Sequence, residues 1–165
     1  MITTKELENT IDIVKEIEWI TLLKNISPQI TNICSKDSKT IQASMRSFKI
    51  YISISFTTVF VTIELEDLPK SFLKENVYEA VNLLNLSSKS GSHFLVNSEE
   101  GITYGYRNRL PYFRENDIPN IIGEGLKKSI ESAIQGMKIL KKAEKSTLLK
   151  KDFLSYEKIW NKKFY

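Results

Sequence analysis

The sequence predicts an α+β domain, an antiparallel five-stranded sheet backed by helices. The expected order is helix, three strands, helix, two strands, helix, followed by a C-terminal helical extension. Three observations lead there. Apolar residues recur at three- and four-residue steps in separate stretches of the chain. Between them the period changes to two, once over Gln29–Glu66 and again over His93–Arg107. The links between the period-two runs are too short for crossover connections, so the strands are antiparallel. Helices and strands in segregated runs define the α+β class.

The first helix is expected over Thr4–Asn25. Leu7, Ile11, Val14, Ile17 or Glu18, and Leu22 form its apolar stripe, Thr4 its N-cap, and Ser27-Pro28 its stop. Three strands follow from alternation: Ile41, Ala43 and Met45; then Phe48, Ile50, Ile52 and Ile54; then Val59, Val61, Ile63 and Leu65. Their links are Lys36–Lys39 and Phe56–Thr58. The stretch Gln29–Cys34 shows only a faint strand pattern and is left outside the count of five. Asp67-Leu68-Pro69 ends the sheet segment, and a second helix is expected over Phe72–Leu86, with Val77, Ala80, Val81 and Leu84 inward. Ser87–Ser92 reads as a loop. Strands His93–Asn97 and Ile102–Arg107 follow, with Gly101 supplying a positive φ between them. Asp117 opens the longest helix, with Pro119 in its first turn and an apolar stripe running to Leu140. Gly123, Gly125 and Gly136 each cost such a helix about 1 kcal/mol relative to Ala, which marks them as close-approach positions against the sheet.

A chain of 165 residues with 41% hydrophobic and 27% charged residues suits one packed domain and excludes global disorder. Residues 1–145 are read as that domain and 146–165 as a basic amphipathic helix or tail. One Cys and one His exclude a disulfide framework and a His/Cys zinc site. The N-terminus shows no signal-peptide core. The longest uncharged run, Ile50–Ile63, is shorter than the roughly 20 residues of a membrane-spanning helix. A cytoplasmic protein without a membrane span is therefore expected. Residues 1–90 carry a net charge of −1 and 91–165 one of +5, most of it from nine lysines beyond Met137.

No P-loop, dinucleotide fingerprint or HExxH motif is present, and no catalytic residue, cofactor or metal is expected. His93 reads as a half-exposed strand residue, since no nucleophile-elbow pattern frames the neighbouring Ser92. Glu64, Glu66 and Asp67 read as a solvated strand end. Asn85 is expected to end its helix in left-handed geometry or to bond back to free carbonyls. Tyr104, Tyr106, Arg107, Arg109, Tyr112, Phe113 and Arg114 interleave aromatics with arginines and form the best surface candidate for a partner. The bland alternative places the tyrosines on one strand face and the arginines in solvent. In the extension, Leu149, Phe153, Tyr156 and Trp160 hold helical spacing, and the lysines around them suit either a solvated face or a phosphate-rich partner.

The segment Val81–Tyr106, through Val81, Leu84, Asn85, Phe94, Val96, Asn97, Gly101, Ile102 and Tyr104, resembles the YbjN-like family of sensory-transduction regulators. That family shares its fold with type III secretion chaperones. The resemblance implies a type III secretion chaperone-like fold and a non-enzymatic module. It further implies a homodimer that binds a client polypeptide along apolar patches and by adding a strand to a sheet edge. Two features depart from it: the secretion chaperones are acidic where this chain is basic, and the extension beyond Leu140 has no counterpart. A nucleic-acid-associated regulator using the basic C-terminal segment is the alternative expectation.

Overall fold

The computed structural model describes residues 17–65, 68, 75–88, 91–97, 99 and 101–145. The elements in chain order are helix α1 (Trp19–Ile26), strands β1 (Ile30–Ser35), β2 (Thr40–Met45), β3 (Phe48–Ile54) and β4 (Thr58–Leu65), helix α2 (Glu75–Ser87), strands β5 (Gly91–Asn97) and β6 (Ile102–Pro111), and helix α3 (Ile118–Lys145). The strands form a six-stranded antiparallel sheet in the order β1-β2-β3-β4-β6-β5. No described helix is long and apolar enough to cross a membrane. The described residues fall into two compact units, one within Met1–Thr62 and Asn108–Lys127, the other within Ile63–Arg107 and Lys128–Tyr165.

The sheet corrects the expectation of five strands: Ile30–Ser35 is a sixth, paired antiparallel to β2. Its pairing explains why the sequence hides it. Thr31 faces Ser44 and Cys34 faces Gln42, so Asn32 and Ile33 together oppose Ala43. That is a β-bulge, and it shifts the side chains by one position in mid-strand. Asn32 takes φ 53° at the bulge, a left-handed geometry that Asn tolerates better than most residues. The resulting burial does not alternate, so no period of two survives to be read.

In the first unit, β2, β3 and β4 do alternate as expected. Ile41, Ala43, Met45, Ile50, Ile52, Ile54, Val59 and Val61 are buried with Ile30, Ile118, Ile122 and Leu126. Each fully buried Val or Ile stabilises the fold by about 1.5–3 kcal/mol. The register Ala43↔Ile50 and Ile41↔Ile52 stacks these side chains across the β2–β3 hairpin. In the tight link before β2, Asp37 accepts the Lys39 N–H at 2.8 Å, and that bond holds its carboxyl below the usual range. The helix α1 departs from expectation. The chain is not helical at Ile17 and Glu18, and the buried residues are Trp19 and Leu23, one position on from the expected Leu22. An i,i+4 pair that buries the large Trp19 ring outweighs the other stripe. Thr4, Leu7, Ile11 and Val14 lie outside the described residues.

In the second unit, α2 buries Val77, Ala80, Val81 and Leu84 as expected. The predicted Ser87–Ser92 loop is shorter, because Ser87 is still helical and β5 begins at Gly91. The strand β6 runs on to Pro111, past the expected Arg107. Leu68 forms an isolated antiparallel bridge with Ile102, and Gly101 carries a positive φ of 158°. The close-approach reading of the α3 glycines holds for two of three. A Cβ at Gly125 would collide with Leu110, and one at Gly136 with the Tyr104 hydroxyl. Gly123 instead faces open space, with no atom within 4 Å of such a Cβ.

Candidate functional site

The predicted aromatic–arginine stretch is divided by the pleat of β6. In the second unit Tyr104 and Tyr106 are fully buried, while Arg107 is exposed. In the first unit Arg109 is exposed, and its guanidinium lies 5.8 Å from the centre of the Phe60 ring. Tyr112 is buried because it ties the end of β6 to the β3–β4 turn. Its hydroxyl donates to the Ser55 carbonyl at 2.6 Å and its N–H to that of Thr57 at 3.0 Å. Burial, and after it the Glu115 carboxylate, push the Tyr112 phenol up. Phe113 is 98% exposed, and Arg114 pairs with Asp117 at 3.3 Å on the surface. The exposed side chains of the stretch are thus Arg107, Arg109, Phe113 and Arg114. Tyr104, Tyr106 and Tyr112 are internal. Phe153, Tyr156 and Trp160 lie outside the described residues.

His93 is not the half-exposed residue expected, since it is 3% exposed. The strand period turns it inward, where Nδ1 and the Tyr104 hydroxyl share a hydrogen bond of 2.7 Å. The two rings stack at 5.9 Å, and the Tyr106 ring tilts against the imidazole at 4.9 Å. Gly136 leaves the space for this group: a Cβ there would stand 3.0 Å from the imidazole as well as striking the Tyr104 hydroxyl. Burial lowers the His93 pKa to about 3. The imidazole is therefore neutral at pH 7 and is packed as part of the core, presenting no surface to a substrate.

What His93 positions is the backbone of β5, an edge of the sheet. The Asn85 side chain reaches it from the last turn of α2. Its Nδ2 donates to the His93 carbonyl at 3.0 Å, and its Oδ1 accepts the His93 N–H at 2.6 Å. Asn85 therefore does not end its helix, which runs on to Ser87. Ser88 makes a similar pair with Gly91, donating to its carbonyl at 2.6 Å and accepting its N–H at 3.3 Å. The elements that meet here also carry exposed apolar side chains: Leu83 and Leu86 on the turn of α2 that holds Asn85, and Val96 on β5. The sequence marks Asn85, but only for a local role at the end of its helix, and nothing in composition or periodicity marks Ser88. The one signal available was a polar carboxamide in the last turn of an otherwise apolar helix end.

No family model matches the sequence, and no curated protein matches it. Among solved structures, the chain is similar to the crystal structure of YbjN from E. coli, a proposed transcription regulator. The identity is 14% and the TM-score 0.49, over 75% of this chain and 87% of that one.

Proposed function

We propose that the protein is a non-catalytic binding module, chaperone-like or regulatory, that holds an extended polypeptide segment along the β5 edge. The observation that carries this is the state of that edge. Gly91 and His93 are completed by side chains, whereas Leu95 and Asn97 have no such cap among the described residues, and exposed apolar residues stand on the two elements involved, Leu83 and Leu86 on α2 and Val96 on β5. Main-chain hydrogen bonds to an added strand supply affinity, each about 1 kcal/mol net, and the apolar neighbours supply selectivity.

The test selects binders from a displayed library of unstructured peptides and maps their footprint by amide exchange. Binders are expected to protect Leu95 and Asn97. The substitution Leu95→Pro removes an outward N–H, at an edge position where proline is tolerated, and should weaken them at least tenfold. Binding indifferent to Leu95→Pro, or a footprint elsewhere, refutes the proposal. The homodimer that the resemblance implies belongs to the same proposal. Light scattering reads it directly, and a monomer at every concentration removes the dimer without touching the edge.

A second reading has one observation in its favour. Residues 30–62 carry Lys36, Lys39, Arg46 and Lys49 against the single acid Asp37. Lys36 also lies 4.8 Å from the centre of the Tyr51 ring, as Arg109 lies over Phe60. Cations among aromatics on a sheet suit single-stranded nucleic acid. That reading requires affinity for an oligonucleotide that falls steeply with salt, and no binding at low salt ends it.

A further inference from the structure

We infer that Asn85 and Ser88 are a built-in substitute for a neighbouring strand and thereby set the register in which β5 accepts one. The register half of this inference rests on the strand-addition reading above. An edge strand directs the N–H and C=O of alternate residues outward. The Asn85 amide takes both backbone groups of His93, so the outward set is Gly91, His93, Leu95 and Asn97.

A carboxamide presents a donor and an acceptor side by side, as a peptide unit does. Asn85 thus offers His93 the two bonds that a residue of a seventh strand would offer. The Ser88 hydroxyl acts alike two positions earlier, donating to the Gly91 carbonyl and accepting from its N–H. Neither bond pair can be relieved by sliding β5. The His93 ring is held by Tyr104 and Tyr106, and a Cβ at Gly91 would strike the Tyr106 ring. The first half of the rim is therefore closed and anchored to the core, and the second half carries no side-chain cap among the described residues. An incoming segment pairs at Leu95 and Asn97 and stops at His93.

The experiment is residue-resolved amide exchange on the full chain, free and with a Lys-flanked octapeptide alternating Thr and Val as a generic strand. In the free protein, Gly91 and His93 should exchange at least tenfold more slowly than Leu95 and Asn97. Asn85→Leu, which keeps the branched shape and removes both bonds, should erase the difference at His93, and Ser88→Ala that at Gly91. With the octapeptide, the parent protein should gain protection at Leu95 and Asn97 only, and the double variant at all four positions. If the double variant does not fold, Ser88→Ala alone answers the question at Gly91. Equal exchange at the four amides of the free parent, or a parent footprint covering all four, overturns the inference. No octapeptide footprint on β5 at all counts against strand addition, while the free-protein rates still judge the cap.

Discussion

The two edges of the sheet meet the same hazard by different means. An edge strand carries unpaired backbone groups that invite pairing with another chain. At β1, in the first unit, the backbone itself is altered: Asn32 and Ile33 bulge against Ala43, and the left-handed Asn32 bends the strand away from regular pairing. At β5, in the second unit, the side chains of Asn85 on α2 and of Ser88 just past its end occupy the outward groups of Gly91 and His93. A bulge is permanent, because the covalent chain must lose a residue to undo it. A side-chain cap costs two rotamers and opens only as far as it reaches. The comparison teaches that one sheet can alter an edge in two ways, by side chains that cover part of β5 and by a backbone irregularity in the middle of β1.

The largest expected effect breaks the β5 side. Gly136→Ala forces a methyl group into the Tyr104 hydroxyl and against the His93 ring. Overpacking of this kind typically costs 1–3 kcal/mol, and two anchored aromatic side chains give little room, so a loss of about 3 kcal/mol is expected in urea unfolding. Exchange at His93 should rise with it. Gly123→Ala on the same helix is the control. It meets no atom, and it should gain up to about 1 kcal/mol from helix propensity alone. Equal effects at the two glycines would show that α3 does not pin the group behind β5.

Acid probes the same anchor without a mutation. His93 has a pKa of about 3 in the folded protein, against an ordinary 6.5 in the unfolded chain. The unfolded chain therefore binds the extra proton first. The stability that the neutral, buried ring contributes is complete above pH 6.5 and declines as the pH falls toward 3. Between pH 7 and 5 the loss should be about 2 kcal/mol, measured by denaturant unfolding, and His93→Phe should remove this part of the slope. A slope unchanged in that variant would place the titration elsewhere and leave the β5 anchor insensitive to acid.

Much of this contrast was beyond the reach of periodicity. The alternation of Ile50, Ile52 and Ile54, and the helical spacing of Val77, Ala80, Val81 and Leu84, translate directly into burial, because each reports one regular face. β1 was illegible for the opposite reason, since its bulge cancels the period that would announce it. For β6 the sequence showed that Tyr104 and Tyr106 share a face. It could not show that this is the inward face, which depends on Gly136 in a helix more than thirty residues further along. Asn85 presents a similar difficulty. An Asn near a helix end has several local partners open to it, and its actual one is the backbone of His93, eight residues on. The chemistry of the edge is set by tertiary contacts, and a single sequence does not print them.

The smallest effect tests whether β1 is in fact the edge secured by its backbone. A β-branched residue in left-handed geometry is strained by about 1–2 kcal/mol, so Asn32→Val should lower stability by roughly that amount. Asn32→Gly, free of the Cβ conflict, should stay within about 0.5 kcal/mol of the parent. Deleting Asn32 goes further. With one residue gone, Ile33 can face Ala43 in unbroken register between Thr31↔Ser44 and Cys34↔Gln42. The strand becomes regular and its outer groups align for another chain. Its unfolding midpoint should change little, while light scattering should show concentration-dependent association absent from the parent. If the deletion leaves the parent's association state untouched, the bulge is incidental to how that edge meets other chains. The side-chain cap of β5 would then be the edge device that remains among the described residues.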